Sequence, residues 1–269
     1  MHYRSRVEKI LVEAGRAGRG DRAVGVRLAD GSEHRADNVI SAADGHATIF
    51  DMLESRYFSD KIRGYYEKLP TYKSWIQVSL GVARDLSGEA PRVTFWLAEP
   101  IDIAGQKIDR IDFRHFCMDP SMAPPGKSAV VVSFDSDHAY WKPLSKDPER
   151  YEAEKKDIVE KVIGALERRL PGISGQIEAV DVSTPMTVER YTGNWQGSQE
   201  GWLITTDTIM LMGIGMEKTL PGLTNFYMAG QWVEPGGGVS ASAMSGRRVV
   251  RMLCKKDRKK FSSSLPAVL

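Results

Sequence analysis

The segment 220–253 constrains this chain more than any other, because it places a short apolar run, a triple glycine and a helix of small residues in direct succession. Asn225-Phe226-Tyr227-Met228-Ala229-Gly230 reads as a buried strand, Pro235-Gly236-Gly237-Gly238 as a turn, and Val239 to Leu253 as a helix. Three glycines remove every Cβ where a ligand could approach the backbone, and the helix behind them offers unpaired N–H groups at the positive end of its dipole. Such a bend suits either an electron-rich ligand edge or a tight packing turn, and glycine loops alone do not separate the two.

The rest of the chain sets the class. Of 269 residues, 42% are hydrophobic, 27% charged and 9% aromatic, which predicts a packed globular core. Lys+Arg number 37 against Asp+Glu 35, and a net charge of +2 argues against nucleic acid as a partner. Cys117 and Cys254 form no CxxC pair, and His2, His34, His46, His115 and His138 are scattered, so no metal site is expected. The start MHYRSRVEKILVEAGRAGRG has no apolar signal core, so a cytoplasmic protein is expected, and no apolar run approaches the length of a membrane-spanning helix.

Residues 7–44 read as a hairpin and a return strand, with Gly15 to Gly20 as the hairpin loop, and His46 to Lys68 as a helix stopped by Leu69-Pro70. Runs at Trp75–Val82, Val93–Leu97, Ile108–Phe116 and Ser128–Phe134 predict one largely antiparallel sheet. The clearest helix covers 148–170, with Asp147 as its cap, Pro148 in the first turn and one apolar stripe through Ile158, Val162, Leu166 and Leu170. No GxGxxG fingerprint, phosphate-binding loop, GxSxG elbow, HExxH or paired carboxylates are present.

Three separated segments resemble one family, the FAD-dependent desaturases, isomerases and saturases of the phytoene dehydrogenase and retinol saturase type. Ala36 to Asp44 with Leu53 is similar to the family's "aDxVIsnaD…Ll" element, Thr184 to Ser198 to its "TPxtxeRYtxnxxGs" stretch, and 226–246 to its C-terminal "yxaGxxxxPGgGvxxaxxSG" flavin motif. The resemblance implies an α/β fold with an α+β substrate domain, namely the C-terminal portion of a two-domain FAD-dependent oxidoreductase without the N-terminal βαβ dinucleotide-binding unit. It divides the chain into 1–48 and 201–261 as parts of the FAD-binding domain, 49–200 as the substrate-binding domain, and 262–269 as a flexible tail.

Carried over by position, the resemblance puts Val7 against the adenine, and Gly230 and Gln231 beside the ribityl and pyrophosphate portion of FAD. Gly237, Gly238, Val239 and Ser240 would face the N1/O2 edge of the isoalloxazine. Many relatives carry an acidic residue where Gln231 stands, although an amide can still bond the ribityl hydroxyls. Tyr191 and Trp195 are implied substrate residues, and Trp75, Phe95, Trp96, Phe113 and Phe116 are further candidates for the wall of an apolar tunnel.

The implied activity is hydride exchange between flavin N5 and carbon–carbon bonds of an apolar isoprenoid, carotenoid or retinoid, with no catalytic acid or base named by the motifs. The alternatives are a non-catalytic subunit that needs an N-terminal partner and, more distantly, an amine oxidase, for which Trp232 would be one wall of an aromatic cage. Arg247 to Lys260 form a basic tail, which reads either as a solvated helix end or as a contact with anionic lipid.

Overall fold

The structure, a computed structural model, describes residues 1–15, 20–206 and 208–263, which leaves part of the expected hairpin loop and of the tail outside the described residues. Strands β1 (Val7–Glu13), β2 (Asp21–Leu28), β3 (Glu33–Arg35) and β4 (Val39–Ser41) lead into helix α1 (Asp60–Lys68). Strands β5 (Ser74–Val82), β6 (Arg92–Ile103), β7 (Gln106–His115) and β8 (Ser128–Ser136) follow, then α2 (His138–Leu144), α3 (Pro148–Arg169), β9 (Ile177–Ser183) and α4 (Pro185–Thr192). The chain ends through α5 (Ile209–Ile214), β10 (Leu223–Thr224), β11 (Phe226–Met228) and α6 (Gly238–Lys256).

Two compact units result. The first comprises Met1–Tyr72, Gly193–Trp195 and Glu200–Leu269, and the second Lys73–Thr192 and Gln196–Gln199. The expected boundary at residue 48 therefore moves to Tyr72, and residues 193–195 return to the first unit. The physical reason is the core: Ile49, Leu53, Tyr57 and Ile62 pack with Ile10, Leu223, Phe226 and Trp232 in the first unit.

In that unit β1, β2 and β3 form an antiparallel meander, to which β10 adds parallel to β2. A separate parallel pair joins β4 to β11, with Val39 opposite Phe226 and Ser41 opposite Met228. The single helix expected over 46–68 is two pieces, a short turn at Ala47–Met52 and α1. Glu54 and Ser55 adopt positive φ between them, and Ser59 caps α1 by accepting a hydrogen bond from Ile62 N–H at 3.3 Å.

The second unit is built on one antiparallel sheet in the order β6-β7-β8-β5-β9. β5 alternates strictly between buried and half-buried positions, so Ile76, Val78, Leu80 and Val82 turn one face into the core. Helix α3 covers that face with Ile158, Val162, Ala165 and Leu166, and Asp147 caps it by accepting from Arg150 N–H at 3.2 Å. The sequence reading supplied four of the five strands; β9 escaped it because Glu178, Ala179, Val180 and Asp181 are exposed and give no apolar alternation.

Candidate functional site

The bend before α6 begins at Gly230, whose φ of +94° ends β11 and whose N–H donates to Ser245 Oγ of α6 at 2.6 Å. Ser245 in turn donates to the Ser242 carbonyl at 2.7 Å, which fixes strand and helix to each other. Gly237 has φ of +63° and stands at the cap position, where no side chain accepts from the first helical amides. Around Gly238 a Cβ would meet nothing within 4 Å, and Val239 is 88% exposed. Gly238, Val239 and Ser240 thus start the helix without a side-chain cap and face open space.

Gly237 differs. A Cβ there would come within 2.1 Å of Glu200 Oε2, so the Glu200 side chain already covers the second residue of the triple glycine. A flavin edge fits the chain at Gly238–Ser240 and meets a carboxylate at Gly237, a neighbour that the sequence did not reveal.

Val7 lies half-buried on β1 opposite Leu28, whereas Gly230 and Gln231 follow β11, so the expected adenine and ribityl positions belong to different sheets of the first unit. Tyr191 is 78% exposed on α4 of the second unit, with Arg190 over its ring at 5.6 Å. Trp195 belongs to the first unit and stacks on His46, with centroids 5.1 Å apart and planes 6° apart.

Trp195 marks a corner that the sequence reading left without a role. Asp44 lies three residues beyond β4, buried, and accepts from Ala47 N–H at 2.7 Å and from Trp195 N–H at 2.8 Å. Burial pushes its carboxyl above the ordinary range against those bonds, and also pushes the neighbouring Tyr66 phenol up, with the Asp44 charge adding to the effect. Because the folded chain then holds the Asp44 proton more tightly than the unfolded chain, the contribution of Asp44 to stability is fully present below the ordinary carboxylate pKa and is lost as pH rises through its raised value. Asp44→Asn should flatten that part of the profile, at a cost of about 1 kcal/mol for the bond its NH2 cannot accept. Urea midpoints across the acidic range check this; an unchanged slope would reject Asp44 as the titrating group.

Trp232 sits behind the corner, stacked on Tyr66 at 6.1 Å and edge-on to Trp202 at 5.2 Å. The space among these rings measures only about 20 Å³, so they are packed core and form no open aromatic cage. A second buried feature lies just before the glycines. Glu234 faces Lys218 at 3.0 Å and pairs with Arg248 of α6, while Lys218 also donates to the carbonyls of Met216 at 3.3 Å and Val233 at 3.1 Å.

The second unit carries a cavity of about 1240 Å³ on the exposed face of its sheet. Trp75, Trp96 and Phe116 line it, whereas Phe113 is fully buried in the core and Phe95 packs against that core. The wall is not apolar. Arg92 grips Asp112 through Nε at 2.8 and 3.1 Å, and Arg110 lies over Trp96 at 5.7 Å. Alternation along β6 and β7 puts charged residues on the face away from α3, so this cavity is not the apolar tunnel that the resemblance implies.

The sequence profile of the family described as "Flavin containing amine oxidoreductase" matches residues 1–254. Among curated relatives, the chloroplastic prolycopene isomerase of Arabidopsis thaliana is 29% identical over 255 residues, covering 91% of this chain and 40% of its own length. The neurosporene-forming phytoene desaturase of Rhodobacter capsulatus is 26% identical over 280 residues, covering 94% of this chain and 49% of its own. The chain thus spans less than half the length of these relatives. An oxidoreductase from Methanosarcina mazei superposes with a TM-score of 0.54 at 19% identity, over 92% of this chain and 49% of that one, which shows a shared fold. With the match running through both units and the glycine bend, the chain belongs to the flavin containing amine oxidoreductase family.

Proposed function

We propose that this chain contributes one side of an FAD site in an oxidoreductase acting on carbon–carbon bonds of an isoprenoid-type substrate. The carrying observation is the uncapped, open start of α6 at Gly238–Ser240, in a family defined by flavin. The names of the relatives, prolycopene isomerase and phytoene desaturase, support the substrate class. FAD, when bound, supplies two-electron redox chemistry.

The chain's own part is electrostatic and steric. Gly238, Val239 and Ser240 amides would donate to the electron-rich edge, where the helix dipole favours negative charge, and the missing Cβ of Gly238 lets a flat ring approach. Gly230 and Gln231 would bind the ribityl and pyrophosphate portion, and Val7 the adenine. Tyr191 and Trp195 would contact substrate. FAD titration of the purified chain tests this. Gly238→Val should weaken any measurable flavin binding at least tenfold by filling the approach; equal affinity for both proteins would overturn the assignment.

A specific observation favours a second reading, in which the site is completed by further polypeptide. β4 and β11 form a parallel sheet of two strands with three residues each, although parallel strands are normally buried within larger sheets. Ile40 on β4 is 47% exposed and Val239 on α6 is 88% exposed, apolar groups that additional strands would cover. On this reading the chain alone binds FAD weakly, and a flavin absorbance band surviving gel filtration of the chain alone would refute it.

A further inference from the structure

Charge in this chain is segregated. Residues 247–260 hold eight Lys or Arg and a single Asp, while the whole chain is only +2, so the remainder is net acidic. Two of the eight cations pair with side-chain oxygens: Arg248 with Glu234, and Lys256 with Asn225 at 2.6 Å and Asn38 at 3.3 Å. Arg247, Arg251, Lys255, Arg258, Lys259 and Lys260 are exposed and, among the described residues, have no carboxylate within ion-pair distance. Elsewhere exposed Lys and Arg often find one, as Arg92 does with Asp112 and Lys127 with Glu178.

A favourable helix C-terminus accounts for Lys255, which lies in the last turn of α6. It does not account for Arg247 and Arg251, which precede that turn, or for the cations beyond Lys256. Helical spacing of four puts Arg247, Arg251 and Lys255 in one stripe, opposite the face that buries Ser245 and Val249. Met244, 48% exposed, lies within that stripe and Val250, 44% exposed, borders it. Phe261 lies against it as well, with Arg247 and Arg251 at 5.1 and 5.7 Å from its ring.

We propose that this face of α6, with residues 258–261, docks on the surface of a bilayer containing anionic lipid. The unpaired cations take the headgroup charge, and Met244, Val250 and Phe261 give apolar contact at the same level. Duplex nucleic acid would use the cations but leave those apolar groups in water. The inference rests on charge and exposure and is independent of the flavin reading.

Co-sedimentation of the chain with vesicles of phosphatidylcholine, with and without phosphatidylglycerol, decides it. Binding should require phosphatidylglycerol and weaken steeply between about 0.1 M and about 1 M salt. Combined Arg251→Gln, Lys255→Gln, Lys259→Gln and Lys260→Gln should weaken it by about a hundred-fold or more, with an unchanged urea unfolding curve. Equal binding to both vesicles, binding to neither, or full retention by the fourfold variant would overturn the proposal. So would duplex DNA that strips the chain from vesicles at equal phosphate concentration.

Discussion

Glu234→Ala should cost about 3–5 kcal/mol in urea unfolding, the range for removing one partner of a buried ion pair. Glu234 and Lys218 side chains are each only 6% exposed, and Arg248 is 34% exposed. Glu234 Oε2 meets Lys218 Nζ at 3.0 Å as an ion pair without a directed hydrogen bond, so the attraction there is chiefly Coulombic. Removing the carboxylate leaves a buried ammonium whose remaining partners are the carbonyls of Met216 and Val233, and these compensate dipoles better than charges. The combined Lys218→Met, Glu234→Leu and Arg248→Met variant should recover most of the loss, because apolar groups of similar volume need no counter-charge. A loss under about 1 kcal/mol for Glu234→Ala would show that the triad is solvated, and that it does not tie the glycine bend to α6.

Trp202→Ala should be comparably damaging, again about 3–5 kcal/mol. The indole is fully buried, edge-on to Tyr66 at 5.0 Å and to Trp232 at 5.2 Å, and donates Nε1–H to the Trp232 carbonyl at 3.0 Å. The neighbouring void of about 20 Å³ leaves no slack for collapse, so the transfer loss and the cavity loss should both be felt. The orphaned carbonyl adds its own desolvation penalty. Trp202→Phe should retain part of the packing while losing the bond. Midpoints for Trp202→Ala within about 1 kcal/mol of the parent would mean that this corner repacks freely, contrary to close-packed interiors.

Much of the local structure was legible. Asp147, Pro148 and the apolar stripe announced α3, and runs of strand-forming residues between turn residues announced β5 through β8, because caps and local propensity are nearest-neighbour properties. The strand, glycines and helix of 226–253 were likewise readable in order. The break at Glu54 and Ser55 was not, since two positive φ values at non-glycine residues carry no sequence mark.

At the candidate site the division is sharper. The amino-acid order by itself determined that a β-strand, a turn free of Cβ atoms and a helix start would follow one another, since backbone freedom and hydrophobic period are written in adjacent residues. Only the tertiary structure decided what faces that turn: Glu200 over Gly237, open space at Gly238, and Lys218 and Arg248 closing on Glu234 from positions 16 and 14 residues away. The same holds for the charged wall of the second unit's cavity and for the cations of α6 left without partners. Which charges neutralise each other depends on separations of a few ångströms between residues distant in the chain, and Coulomb energy and desolvation are set by that distance and burial.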